Sequence, residues 1–243
     1  MSISQRSYEV RIAKYRDGDA LIQGWLDYVA ANPLITKAAN TAFIADVESD
    51  NEDVITTEQA LNDLRKQRIP LTFRLKVGSE INCLENRMKN ILQYVMGELP
   101  EKKAAINKLK QLIRKIKPQY PKKQNPPLPR GSGKSPSERS FNALVGYGKE
   151  AIGVITALGA AYAPTNVNIS LAQFTAFVGS VDGLNIDIAK AEELYGNAVR
   201  IRADIYDETN GMTDRISMIK SYLAGFEGGK QSPQYIEFSQ AVK

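Results

Sequence analysis

The chain has 243 residues, a net charge of +5, one cysteine and no histidine. That length suffices for one large core or two small ones without covalent staples, and the 43% hydrophobic and 24% charged fractions are those of a globular protein. A lone Cys83 rules out an intrachain disulfide, and without imidazole no Ser-His triad, Cys–His dyad or zincin motif can be assembled.

In chain order, Met1 to Gly18 mixes Arg6, Glu9, Arg11, Lys14, Arg16 and Asp17 with scattered apolar residues. It has no apolar signal core and no small-residue cleavage site, so a cytoplasmic protein is expected. A first helix should end near Tyr28, followed by a turn at Asn32-Pro33. Thr36 stands at the cap position of a long second helix. Its acidic cluster from Asp46 to Asp53 lacks the glycine and spacing of a calcium loop and reads as a solvated face. Within that cluster, Asn51 is either a register-fixing buried residue or a satisfied surface one. Pro70 is expected to end or kink the helix. Cys83, at the start of a returning helix, lacks the positive setting of a reactive thiolate.

Glu101 to Lys117 predicts a further helix with an apolar stripe of Ala105, Ile106, Leu109, Leu112, Ile113 and Ile116. Proline, lysine, glycine and serine dominate residues 118–134, read as an extended linker. Gly131 to Ser135 ends like a phosphate loop, but Leu128 replaces the first glycine and no strand precedes it, so nucleotide binding is set aside. Pro126 to Arg130 resembles ligands of proline-binding domains, although a spacer has the same composition. From Glu98 to Arg139 twelve lysines and arginines face three glutamates, so this segment carries +9 and the remainder −4. An anionic partner, either nucleic acid or an acidic protein face, would meet Lys122, Lys123 and Arg130. Ser135, Pro136 and Glu138 make a capping box that reopens helix. The run Ala151 to Ala163 falls short of the roughly 20 apolar residues a spanning helix needs, and it reads as a buried helix.

A second long helix follows the cap Ser170 and Gln173. Phe174, Phe177, Val181, Leu184, Ile188, Ala191, Tyr195, Ala198 and Ile205 fall at three- and four-residue steps, with Arg202 at the remaining step. This is a heptad seam of the coiled-coil type, and Phe177, Val181, Leu184 and Ile188 are its candidate interaction residues. Thr209-Asn210-Gly211 marks a turn, and a last helix runs back through Met212, Ile216, Ile219, Leu223 and Phe226.

The two halves match each other. At an offset of 134, Tyr28 pairs with Tyr162, Asn32 with Asn166, Phe43 with Phe177, Asn51 with Asn185 and Arg68 with Arg202. At an offset of 128, Arg87 pairs with Arg215, Tyr94 with Tyr222 and Gly97 with Gly225. Shared amphipathic register would align apolar positions but not the asparagines and tyrosines. Six extra residues fall between Arg68 and Glu80 of the first copy. The expected architecture is all-α, with two diverged copies of a three- to four-helix bundle unit. Residues 1–117 and 135–243 form the units and 118–134 the linker.

Ile219 to Leu223, Gly225-Phe226 and Ser232-Pro233-Gln234-Tyr235 form an ending that resembles uncharacterised bacterial helical-repeat proteins. Ala160 to Asn166 and Asp204 to Asp214 are similar to that family too. The resemblance covers about the last 100 residues and is weaker in the first copy, which lacks the Ser-Pro-x-Tyr ending. It implies the helical fold and no activity. The functional expectation is a non-enzymatic structural, assembly or protein-interaction protein that self-associates through helical faces. That assembly need not close into a ring. No cofactor, metal or small-molecule ligand is called for. The alternatives are a nucleic-acid-associated protein using residues 102–139, and a membrane-active helical protein using Ala151 to Ala163.

Overall fold

In the computed structural model the described residues are 3–72, 83–116, 136–207 and 209–243. All regular structure among them is helical. Eight α-helices run in the order α1 (Ile3–Gly24), α2 (Lys37–Thr72), α3 (Leu84–Glu98), α4 (Lys103–Ile116), α5 (Pro136–Leu158), α6 (Leu171–Asp207), α7 (Met212–Leu223) and α8 (Pro233–Ala241). The linker with Lys122, Lys123 and Arg130, the proline motif, the Gly-Lys-Ser stretch and the cap Ser135 lie outside the described residues.

Local chemistry sets the helix starts. The Thr36 hydroxyl accepts from Ala39 N–H at 3.2 Å, and the Ser170 hydroxyl from Gln173 N–H at 3.4 Å. Ser232 does the same for α8, accepting from Tyr235 N–H at 3.3 Å with Pro233 in the first turn. Cys83 and Gly211 occupy the N-caps of α3 and α7. Asn210, with φ of 71°, takes the left-handed conformation in the turn after α6. Lys37 donates its ammonium to the carbonyls of Gln23 (3.1 Å) and Trp25 (2.6 Å), placing a cation at the negative end of α1.

The described part of α2 reaches Thr72, two residues beyond Pro70, and residues 73–82, where the expected end or kink would show, lie outside the described residues.

The described helices build two compact units. One contains residues 1–61 and 191–243, the other residues 62–190. The boundaries expected at 117 and 135 therefore fall inside the second unit, not between units. The reason is helix length. At 1.5 Å per residue α2 and α6 each extend about 54 Å, more than a single small core can cover. Each long helix accordingly gives one part to each unit. In the first unit Tyr15, Ile22, Phe43, Tyr206, Leu223 and Phe238 are core residues. In the second, Met88, Ile91, Leu109, Leu112, Ile155 and Phe174 are.

Contacts recur in pairs, one in each unit. Tyr28 OH donates to Ile35 O at 2.7 Å in the first, and Tyr162 OH to Ile169 O at 2.6 Å in the second. Arg215 Nη1 donates to Leu34 O (2.6 Å) with its guanidinium over Phe43, and Arg87 Nη1 to Asn168 O (2.9 Å) with its guanidinium over Phe177. Tyr28 meets Tyr222 edge-on at 5.0 Å, and Tyr162 meets Tyr94 at 5.2 Å. Arg202 Nη1 donates to Asn51 Oδ1 (3.2 Å), and Arg68 Nη1 to Asn185 Oδ1 (3.3 Å). Both asparagines are buried, which decides between the two readings left open for Asn51.

Candidate interaction site

The seam residues face inward. Phe177 and Val181 belong to the core of the second unit and Ile188 is buried, while Leu184 is half-buried. Phe177, Val181 and Ile188 are covered within the chain, and Leu184 keeps part of its surface open. The heptad spacing marked a buried stripe, and spacing alone does not say whether the covering helix belongs to the same chain.

Other residues of α6 do reach solvent. In the first unit Leu194 is 60% and Ile201 45% exposed, one heptad apart and so on one side of the helix. Scattered exposed leucines are ordinary, and these two stand about 10 Å apart along one side of the helix.

The first unit also carries a cleft of about 670 Å³. Its floor is Tyr15, Tyr206 and Met212, all buried. Val10 and Ile216 line the apolar flanks, and Arg11, Lys14 and Lys243 supply charge; among the described side chains no Asp or Glu lines it. No ion pair among the described residues uses any of these three cations. Helix periodicity puts Ser7, Val10, Arg11 and Lys14 on one face of α1.

The floor is neutral and fixed. Tyr15 OH donates to Asn40 Oδ1 at 2.9 Å, and Tyr206 OH to Tyr8 O at 3.4 Å. Burial pushes both phenols well above the ordinary tyrosine range, opposed by Arg215 at Tyr15 and by Arg202 and Arg11 at Tyr206. Both stay protonated at neutral pH. Behind the floor Arg202, 4% exposed, lies over the Tyr8 ring at 4.1 Å. The cleft offers cations, hydroxyls and apolar surface, a combination suited to binding an anionic, partly apolar group.

Arg11 and Lys14 entered the sequence reading only as evidence against a signal peptide. A signal was present in the comparison of α1 with α5. When buried Ile12 is set against Val145 and Ile22 against Ile155, Arg11 stands opposite buried Leu144 and Lys14 opposite Tyr147. Leu194 and Ile201 escaped notice because they lie off the seam.

Among the described residues no group of His, Cys, Asp or Glu could hold a metal ion, and no helix is long and apolar enough to cross a membrane. Ala151 and Ile155, from the run considered for membrane activity, are core residues of the second unit. No known protein family, curated protein or solved structure matches the chain.

Proposed function

We propose that this is a non-enzymatic interaction protein, built from two diverged copies of one helical unit and assembling with further copies of itself through exposed helix faces. The observation that carries the self-association is the pair Leu194 and Ile201, both open to solvent on one side of α6. The paired contacts and the shared helix order support the two-copy reading: α6 starts 134 residues after α2, and α7 128 after α3. In this reading each compact unit takes its helices from both copies. Phe177 and its seam neighbours hold the fold, and the outer ridge of α6 meets the partner. Surface charge supports association as well, since a +9 segment and a −4 remainder offer complementary faces.

Light scattering over a concentration series tests it. The average mass rises with concentration, and Leu194→Glu with Ile201→Glu holds it at the monomer value while helicity is unchanged. A wild-type mass that stays monomeric at every concentration overturns the reading.

One observation favours nucleic acid as a second reading. The outer face of α4 exposes Lys103, Lys108, Lys110, Arg114 and Lys115 while its inner face buries Ile106, Leu109, Leu112, Ile113 and Ile116. Among the described residues Lys108 pairs with Glu150 at 2.6 Å and Lys115 lies over the Tyr147 ring at 5.4 Å. Titration of the same samples with DNA at low salt separates the two readings, because phosphate binding is lost steeply as salt rises.

A further inference from the structure

We infer that two copies of this chain trade halves when they fold together, so that each compact unit is completed by α1–α4 of one molecule and α5–α8 of the other. The inference extends the self-association reading to a second route and does not rest on Leu194 or Ile201.

The halves meet in both units through contacts of one kind. In the first unit Arg202 meets Asn51, Arg215 meets the Leu34 carbonyl and Tyr222 meets the Tyr28 ring. In the second, Arg68 meets Asn185, Arg87 meets the Asn168 carbonyl and Tyr94 meets the Tyr162 ring. Every one of these joins residues 3–116 to residues 136–243. Helix packing does so as well, α1 on α8 in the first unit and α4 on α5 in the second. The covalent connection between the halves is residues 117–135, which reach at most about 60 Å when fully extended. A half taken from another molecule therefore finds the same partners. It gives up only the proximity that the connection provides, so the closed chain wins at low concentration and the exchanged pair gains as concentration rises.

Buried polar residues fix the register of this pairing. The step from Asn51 to Arg68 in α2 equals the step from Asn185 to Arg202 in α6, seventeen residues in each. Each long helix thus offers one asparagine and one arginine at the same spacing, and in each unit the asparagine of one helix accepts from the arginine of the other. Asn51, Asn185 and Arg202 are buried, so a slipped pairing would strand a polar group away from water. That code is indifferent to whether the two helices share a chain. Because the bonds lie inside the units, halves change partners only when the units come apart, during folding or refolding.

The test refolds full-length chains together. One carries Asn51→Leu and the other Arg202→Leu, with different tags. Both also carry Leu194→Glu and Ile201→Glu, so that the outer ridge of α6 contributes nothing. An exchanged hybrid sets Asn51 of one chain against Arg202 of the other in one first unit, and two leucines against each other in the second copy of that unit. Joint unfolding and refolding at high concentration should give a species of twice the single-chain mass that holds both tags and melts above either variant alone. Chains refolded separately and then mixed should give none. Differently tagged chains with Asn51 and Arg202 intact, refolded together, keep the test decisive where a single variant fails to fold. Single-chain species alone after joint refolding of the intact chains, at every concentration, overturns the proposal. A hybrid that melts no higher than the variants overturns it too, as does one that forms between chains already folded, since the contact would then lie on the surface. A native protein that stays monomeric at every concentration refutes the α6 reading and leaves this result standing, so the two fail separately.

Discussion

Tyr28 and Tyr162 make the same hydrogen bond but do not stand in the same surroundings. The carbonyl of Ile35 accepts from Tyr28 OH and also from Asn40 Nδ2 at 3.3 Å. In the second half Phe174 occupies the place of Asn40, and among the described residues the Ile169 carbonyl accepts from the Tyr162 hydroxyl with no second side-chain donor shown. Tyr28→Phe should therefore cost about 1 kcal/mol, the net worth of one bond, while Tyr162→Phe should cost up to about 3 kcal/mol by stranding a buried acceptor. Urea unfolding of the two variants checks the order, and equal losses would count against it. Burial also pushes the Tyr28 phenol up to about 12 from 10.0, partly opposed by the Asn40 hydrogen bond. A raised folded value means this contribution to stability is complete below pH 10 and is lost as pH rises toward 12. Tyr28→Phe should blunt the alkaline loss of stability over that window.

Among the elements, the long helices show what the pattern of residues could and could not disclose. Their starts were legible because capping chemistry is local: Thr36 and Ser170 sit where their hydroxyls reach the third N–H beyond. The apolar face of α6 was legible too, since period alone specifies which side is buried. The covering partner was not, because burial by the same chain and burial by another molecule require the same spacing. The contact between Arg202 and Asn51 makes the point, joining residues 151 apart in sequence. Among the described residues Arg202 is buried with no paired carboxylate and no hydrogen-bond partner for its Nε, and Asn51 Oδ1 takes one of its N–H groups. Asn51→Leu should then destabilise by about 2 kcal/mol, the loss of a bond to a charged donor. Adding Arg202→Leu should recover part of that loss, because removing a buried charge with its partner is far less costly than stranding it. Thermal unfolding of the single and double variants decides, and purely additive losses would contradict the account.

At the scale of the whole molecule, helix class and the order of the helices up to α7 could be read from the sequence, but α8 and the grouping of helices could not. Apolar periodicity and caps are written within each helix, whereas the choice of neighbours depends on lengths and on which faces fit. The central claim is that each compact unit is completed by residues from both halves of the chain. The most direct test is to express residues 1–117 and 118–243 as separate chains and follow helicity, thermal unfolding and mass for each alone and for the mixture. The account predicts that neither half unfolds cooperatively as a monomer, and that mixing gives a one-to-one complex with the helicity and melting of the intact protein. Two halves that each fold as stable, cooperative monomers and ignore one another would contradict it.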